Sequence, residues 1–269
     1  MIYNIHHLHC GSFCPVCAPM FGQKGWKAHL VCHCLLVETD RGLVLIDTGL
    51  GTQDYLHTQQ RLGSLLTKFG AIVPDIHLSA FHQIQQLGYR LDDVKHIFVS
   101  HLDFDHAGGI SDFPNATVHV LASEFNATQS LSLKGKNRYK TEQFKYHRYW
   151  NFAEQADGEA WFNLQKVKGL PLFQDEILMV PLVGHTLGHS AIAVKKQDGW
   201  ILFCGDAYFS HLELNPKNSL RALDLTERLL AEDNQQRLHN LKQLQYLAQH
   251  EPSIELICAH DPVECNRYQ

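Results

Sequence analysis

Ser100-His101-Leu102-Asp103-Phe104-Asp105-His106-Ala107-Gly108-Gly109 places four potential metal ligands within the six positions 101–106. The stretch follows the apolar run His96-Ile97-Phe98-Val99, which reads as a short strand. Alternation along an extended segment would direct His101, Asp103 and Asp105 to one side. His106 then falls where a helix can begin, and Gly108-Gly109 allows close backbone approach. A hydrophobic core has no use for two histidines and two aspartates this close together, because buried unpaired carboxylates are costly. Such a cluster needs water or cations around it, and divalent metal is the simplest answer.

The same arrangement recurs along the chain. Asp47 follows the apolar run 43–46, His185 follows 177–184, Asp206 follows 201–205 and His260 follows 254–259. Strand ends put polar side chains at the rim of a sheet, while the strands supply rigidity. Residues 30–38 and 43–46 read as a hairpin around the turn Thr39-Asp40-Arg41-Gly42. Residues 118–121, 177–182, 190–194, 200–204 and 254–258 read as further strands. Helical spacing of Leu and Ile marks 54–69 and 78–88, and 220–247 reads as helix in two pieces or one bent piece. Strands alternating with helices predict an α/β architecture. Residues 130–165 are rich in Lys, Arg, Tyr, Trp and Phe and break this rhythm. They are expected to form an inserted loop-and-helix segment over one end of a single domain spanning 1–269.

Bulk properties narrow the classes. The 269 residues are 45% hydrophobic and 19% charged, as in ordinary soluble globular proteins, and the net charge of −5 offers no basic footprint for nucleic acid. The opening MIYNIHHLHC lacks a positive region followed by an apolar run, so no signal peptide is expected. Apolar stretches are strand-length, so no membrane span is expected, and a cytoplasmic protein follows. Of the eight cysteines, Cys32, Cys34, Cys204 and Cys258 lie in apolar runs and read as core residues. Cys10, Cys14 and Cys17 form C-x3-C-x2-C, which reads either as a loop with free thiols or as ligands for a metal or cluster.

Gly184-His185-Thr186-Leu187-Gly188-His189, Gly205-Asp206 and Ala259-His260-Asp261 follow the 101–106 cluster in an order that resembles the metallo-β-lactamase superfamily. The resemblance runs from Asp47-Thr48-Gly49 to His260, nearly the whole chain. It implies a four-layer αβ/βα sandwich with two metal ions at one edge, between two sheets. It also implies a hydrolase of the lactonase or glyoxalase-II-like branch. By position, His101, Asp103 and His185 would hold the first metal and Asp105, His106 and His260 the second. Asp206 would bridge them, and Asp47 and His189 would brace the site through hydrogen bonds. One position departs from the usual H-x-H-x-D-H pattern, because Asp103 stands where a histidine is common. The carboxylate adds a negative charge, weakening the metal as a Lewis acid. Its oxygen is a harder donor, which favours Fe or Mn relative to the His form. The superfamily's flavodiiron branch similarly has a carboxylate there and uses iron. Zn is the expected ion, with Fe, Mn or a mixed pair as alternatives.

Two close metals of this kind would share a bridging hydroxide that attacks a lactone or carboxylic ester, as in an acyl-homoserine-lactone-type lactonase. Asp105 and Tyr208 are the catalytic candidates, Tyr208 as donor to the oxyanion. In acyl-homoserine lactonases the corresponding tyrosine comes three residues past the bridging aspartate, and that position here is Phe209. In the insert, Lys134, Lys136, Arg138, Lys140, Lys145 and Arg148 face only Glu142 in sign, among Tyr139, Tyr146, Tyr149, Trp150, Trp161 and Phe162. They read as a solvated segment or, over the metals, as contacts for a small substrate with an apolar part and a carboxylate or phosphate. Phosphodiester hydrolysis, as in nucleases of the same superfamily, and iron-dependent oxidative chemistry are the competing readings. The net charge opposes the first, and Asp103 with the N-terminal cysteines gives the second a foothold.

Overall fold

A computed structural model describes residues 1–129, 135, 138–155, 158–167, 173 and 175–268. One sheet contains β1 (Ile2–Phe13), β2 (Leu30–Thr39), β3 (Gly42–Ile46), β4 (Val94–Phe98), β5 (Thr117–Leu121) and β6 (Trp150–Ala153), adjacent in that order. A small hairpin of β7 (Glu159–Trp161) and β8 (Leu164–Lys166) follows. The second sheet takes the order β12-β11-β10-β9, with β9 at Ile177–Pro181, β10 at Ser190–Lys196, β11 at Gly199–Phe203 and β12 at Ile254–Ile257.

Both sheets are buried on two faces, which is why their strands read as unbroken apolar runs. Along β2, Leu35 and Val37 face the second sheet, while Cys34 and Leu36 join the core on the outer side. In the second sheet Ile192, Val194, Ile201, Phe203 and Ile257 face the first, and Ala191, Ala193, Leu202 and Leu256 turn outward onto Leu244 and Leu247 of the helix Asn234–His250. On the other outer side, Ile84 of the helix Ala80–Gln86 packs in the core that lies behind β1–β5. The result is the expected four layers, helix, sheet, sheet, helix.

Strand direction gathers the polar ends. β3 and β4 run parallel, as do β11 and β12. β9 and β11 are both antiparallel to β10 and so run the same way as each other. The segments after β3, β4, β9, β11 and β12 therefore leave from matching rims, and these carry Asp47, His101, His185, Asp206 and His260.

The local structure departs from the sequence reading, or adds to it, at four places. Alternation past His101 ends early: Asp103 is the N-cap of the helix Phe104–Ala107, and its carbonyl accepts from His106 and Ala107 N–H. Asp105 and His106 are thus helical neighbours. Residues 54–69 break into three short helices at His57 and Gly63. Within 130–165, the described part adds β6 to the main sheet, parallel to β5, besides the hairpin; Lys134 and Lys136 lie outside the described residues. Finally, the N-terminus forms β1, which pairs antiparallel with β2. Among the described residues no helix is long and apolar enough to cross a membrane.

Gly188 shows how closely the rim loops pack. A Cβ there would stand 2.3 Å from the Glu124 backbone nitrogen and 2.5 Å from its Cβ. Gly188→Ala should therefore destabilise the protein by about 1–3 kcal/mol, read as a lower thermal midpoint; an unchanged midpoint would mean that the two loops separate at no cost.

Candidate metal centre

The rim segments bring together every ligand expected from the sequence. Ligand atoms of His101, His185 and Asp206 all lie within 4.8 Å of one another, as do those of Asp105, His106 and His260. Asp206 links the two groups through its separate oxygens. Its Oδ2 is 3.8 Å from His101 Nε2 and 3.4 Å from His185 Nε2. Its Oδ1 is 3.2 Å from His106 Nε2 and 3.1 Å from His260 Nε2. Asp103 Oδ2 joins the first group, 3.4 Å from His101 Nε2 and 3.2 Å from His185 Nε2. Asp105 joins the second, with Oδ2 3.6 Å from His260 Nε2.

Of these contacts, His185 Nε2 to Asp103 Oδ2 is a hydrogen bond; the others are close without being one. His101 Nε2, His106 Nε2, Asp103 Oδ1 and Asp206 Oδ1 are buried and have no hydrogen-bond partner. Native proteins rarely leave such atoms unsatisfied. Imidazole and carboxylate donors facing inward from both sides are the donor set that divalent metal takes, so the residues fit a pair of cations.

Electrostatics agrees. Burial by itself would raise the Asp206 carboxyl, but His260 and His106 hold it well below the usual range. Burial would lower His106, yet Asp206 and Asp47 hold it well above its ordinary value. His260 behaves likewise, raised to about 9 against burial by Asp206 and Asp105. The carboxylates draw positive charge onto these rings, and a cation supplies the same charge. His185 goes the other way, to about 4, chiefly through burial.

A surrounding layer fixes the ligands. Asp47, at the left-handed φ of 53°, accepts from Ser100 N (2.7 Å) and Ser100 Oγ (2.7 Å), and its Oδ2 sits 2.7 Å from His106 Nδ1. That arrangement turns Nε2 of His106 toward Asp206. His189 Nε2 accepts the Asp206 backbone N–H at 3.0 Å, while its Nδ1 donates to the Leu182 carbonyl. Asp47 thus contacts the ring of one candidate ligand and His189 the backbone of another, the positions that the resemblance assigned to bracing. Gly205, at φ 52°, lets this happen: a Cβ would come within 2.8 Å of both His189 Nε2 and Ser100 Cβ.

Two positioning residues carry no mark in the sequence. Fully buried Glu124 accepts Leu102 N–H and Gly188 N–H, each at 3.0 Å, and so ties the His101 loop to the His185 loop. Arg138 of the insert donates to Asp103 Oδ2 at 2.9 Å. With burial working to raise it, Asp103 is nonetheless held well below the usual carboxylate range by Arg138 and His101. The S-E dipeptide at 123–124 gives no signal, and Arg138 is one of six basic residues in a run.

Tyr208 requires correction. It is fully buried in the core on the far side of the second sheet, and its hydroxyl donates to Glu264, 3.2 and 3.3 Å from the two oxygens. It cannot reach a substrate carbonyl at the rim. Phe209 takes that side instead, its ring centroid 5.1 Å from His260 and 6.0 Å from His185. Cys10, Cys14 and Cys17 are free thiols, Cys10 buried and Cys17 exposed, and neither ligand group above contains a thiol.

Known proteins resemble this chain in sequence and fold. The pattern of the metallo-beta-lactamase superfamily matches residues 29–248. A protein named "Probable metallo-hydrolase" from Mycobacterium tuberculosis is 38% identical over 265 residues, covering 96% of this chain and 80% of that protein. An N-acyl homoserine lactonase from Bacillus thuringiensis is 28% identical over 69% of this chain and 67% of its own length. Among solved structures, an N-acyl homoserine lactone hydrolase with N-hexanoyl-L-homoserine at its catalytic metal centre shares the fold. Its TM-score is 0.75 at 21% identity, over 100% of this chain and 97% of that one. The dizinc quorum-quenching lactonase AidC also does, with a TM-score of 0.63 at 17% identity over 97% and 90%. With the family pattern spanning most of its length, the chain belongs to the metallo-beta-lactamase superfamily and is a metallo-hydrolase.

Proposed function

We propose that this enzyme hydrolyses a lactone or carboxylic ester at a two-metal centre. His101, Asp103 and His185 would hold one ion, Asp105, His106 and His260 the other, and Asp206 both. The observation that carries the proposal is the division of the Asp206 carboxylate, one oxygen toward each imidazole pair. Bound there, divalent metals polarise a carbonyl oxygen and make water acidic enough to attack near neutral pH. Zn suits the imidazole-rich donor set, with Fe or Mn as alternatives.

The chain's own residues do the rest. Asp105 lies 13% exposed at the rim, its carboxyl raised by burial and by Asp206 and Asp103 against the pull of His106 and His260. As an ionised ligand at the rim, it would have an oxygen able to take the proton of the attacking water and pass it to a leaving alkoxide. Phe209 presents an apolar wall, and Leu187, beside His185 and 55% exposed, offers more apolar surface. Both suit a substrate with an acyl portion. The lactonase relatives support that class. Cytoplasmic placement and a single domain over 1–269 complete the reading; the free thiols of Cys10, Cys14 and Cys17 suit a reducing compartment.

Elemental analysis of the purified enzyme should give about two metal equivalents per chain. Turnover of acyl-homoserine lactones, simple lactones and aryl esters should follow, with bis-aryl phosphodiesters as the contrast. Phosphodiester cleavage without lactone or ester cleavage would hand the site to the nuclease-like reading. Asp206→Ala should abolish metal binding and hydrolysis together, whereas full activity in a metal-loaded variant would remove its shared role. Tyr208→Phe should leave metal content and the maximal rate on lactones unchanged, and a clear fall in rate would restore it to the site.

A further inference from the structure

Asp103 is the one ligand position where this chain departs from the common pattern, and Arg138 lies directly behind it. The Arg138 side chain is 6% exposed. Its Nη1 donates to Asp103 Oδ2 at 2.9 Å, its Nη2 donates to the Leu230 carbonyl, and its Nε is 3.8 Å from Glu232 Oε1. All three nitrogens therefore face partners of the protein. An arginine so occupied is poorly placed to receive a substrate carboxylate.

Charge balance gives the pair a purpose. A histidine ligand is neutral; an aspartate there adds one negative charge, and the guanidinium 2.9 Å away removes it. The pair together has the formal charge of an imidazole. Geometry points the same way. Asp has a shorter side chain than His, with two equivalent oxygens and free rotation about its terminal bond. Fixing Oδ2 against Nη1 removes that freedom and leaves buried Oδ1 without a hydrogen-bond partner. Oδ2 is also held 3.4 Å from His101 Nε2 and 3.2 Å from His185 Nε2. Arg138 is itself set by Leu230, at the end of the helix Arg221–Leu230, just ahead of Glu232, whose N–H donates to the His185 carbonyl. The insert and the His185 loop are thereby fixed to one another through the ligand.

We infer that Arg138 is a positioning residue whose pairing with Asp103 does the work of the missing histidine at the first metal. The inference rests on the two-metal reading above. It concerns a residue that touches no reacting atom, so the readout is metal affinity.

The test is a double-mutant cycle on the full chain, with zinc bound to each site measured by competition with a chromogenic chelator and by elemental analysis. Wild type should bind two equivalents. Arg138→Met leaves Asp103 uncompensated and unheld, and should weaken the first site about 10–100-fold, the usual cost of losing a hydrogen-bond partner of a ligand, with the second site unchanged. Asp103→His alone sets a neutral ring beside an unpaired guanidinium and should weaken the same site. The double variant Asp103→His/Arg138→Met should bind more tightly than either single variant. Arg138→Lys, which keeps the charge but cannot also span to Leu230, should retain most of the affinity. A purely structural staple predicts the opposite order, because both Met variants lose the Leu230 bond and the double would be no better than the singles. That order, or two equivalents at wild-type affinity in Arg138→Met, overturns the inference. Fewer than two equivalents in wild type would overturn the two-metal reading and this inference with it, before any variant is compared.

Discussion

A carboxylate with almost no solvent, Asp206 at 4% exposure, stands between two pairs of imidazole nitrogens. Its neighbours add Asp47, Asp103 and Asp105 to the same small volume. Taking one carboxylate out of water costs several kcal/mol even after relaxation, and like charges close together add to that. Folding can place these groups here only if positive charge comes with them. Part of it comes from Arg138, and the rest is the charge that cations between the imidazoles would bring; the carboxylates raise His106 and His260 because they favour positive charge at that place. The unsatisfied nitrogens and oxygens that remain point inward at one another. The sandwich supplies the rigidity that prevents the ligands from escaping to solvent, since each follows a strand buried on both faces.

Rigidity alone does not aim a side chain. The aiming is done by hydrogen bonds that cross between strands. Asp47 after β3 turns His106, which belongs to the helix after β4. His189 before β10 holds the backbone of Asp206 after β11. Glu124 after β5 joins the loops of His101 and His185. His260 Nδ1 meets the Val31 carbonyl of β2 at 2.8 Å. Each tie links a segment of one sheet to a different strand or sheet. The ligand geometry is therefore a property of the packed sandwich, and altering a tie should act on metal affinity through ligand orientation.

Legibility in the sequence follows from this division. Residues on buried strands declare themselves as apolar runs, and ligands declare themselves as polar residues at the ends of those runs. That is why the seven candidate ligand positions stand out at the ends of apolar runs, while their roles, and those of Asp47 and His189, come from the resemblance to the superfamily. Cross-strand partners have no such signature. Glu124 looks like any acidic residue on the helix Ala122–Ala127, and nothing local says that it is buried. β1 is hidden because its histidines interrupt the apolar alternation, and β6 because Trp150 and Phe152 sit in a basic, aromatic stretch that reads as insert. Tyr208 misleads for a geometric reason. Two residues past Asp206 the chain turns its side chain into the core behind the second sheet, and the next residue, Phe209, returns to the rim. A one-residue offset decides which ring meets the site.

The substitution at Asp103 separates two properties that usually change together. Replacing an imidazole by a carboxylate alters both the charge and the hardness of a ligand: the charge weakens the ion as a Lewis acid, and the hardness shifts metal preference away from zinc. Arg138 answers the charge. It does nothing for hardness, because the donor atom remains an oxygen. With the charge cancelled at 2.9 Å, an ion held there would acidify its water much as a histidine-ligated ion does. The preference for a harder ion rests on the oxygen alone. An aspartate without such a partner would weaken the Lewis acid and change the donor type at once. Here the activity-determining property is held near that of the common site, and what is left free to vary is which ion fills it.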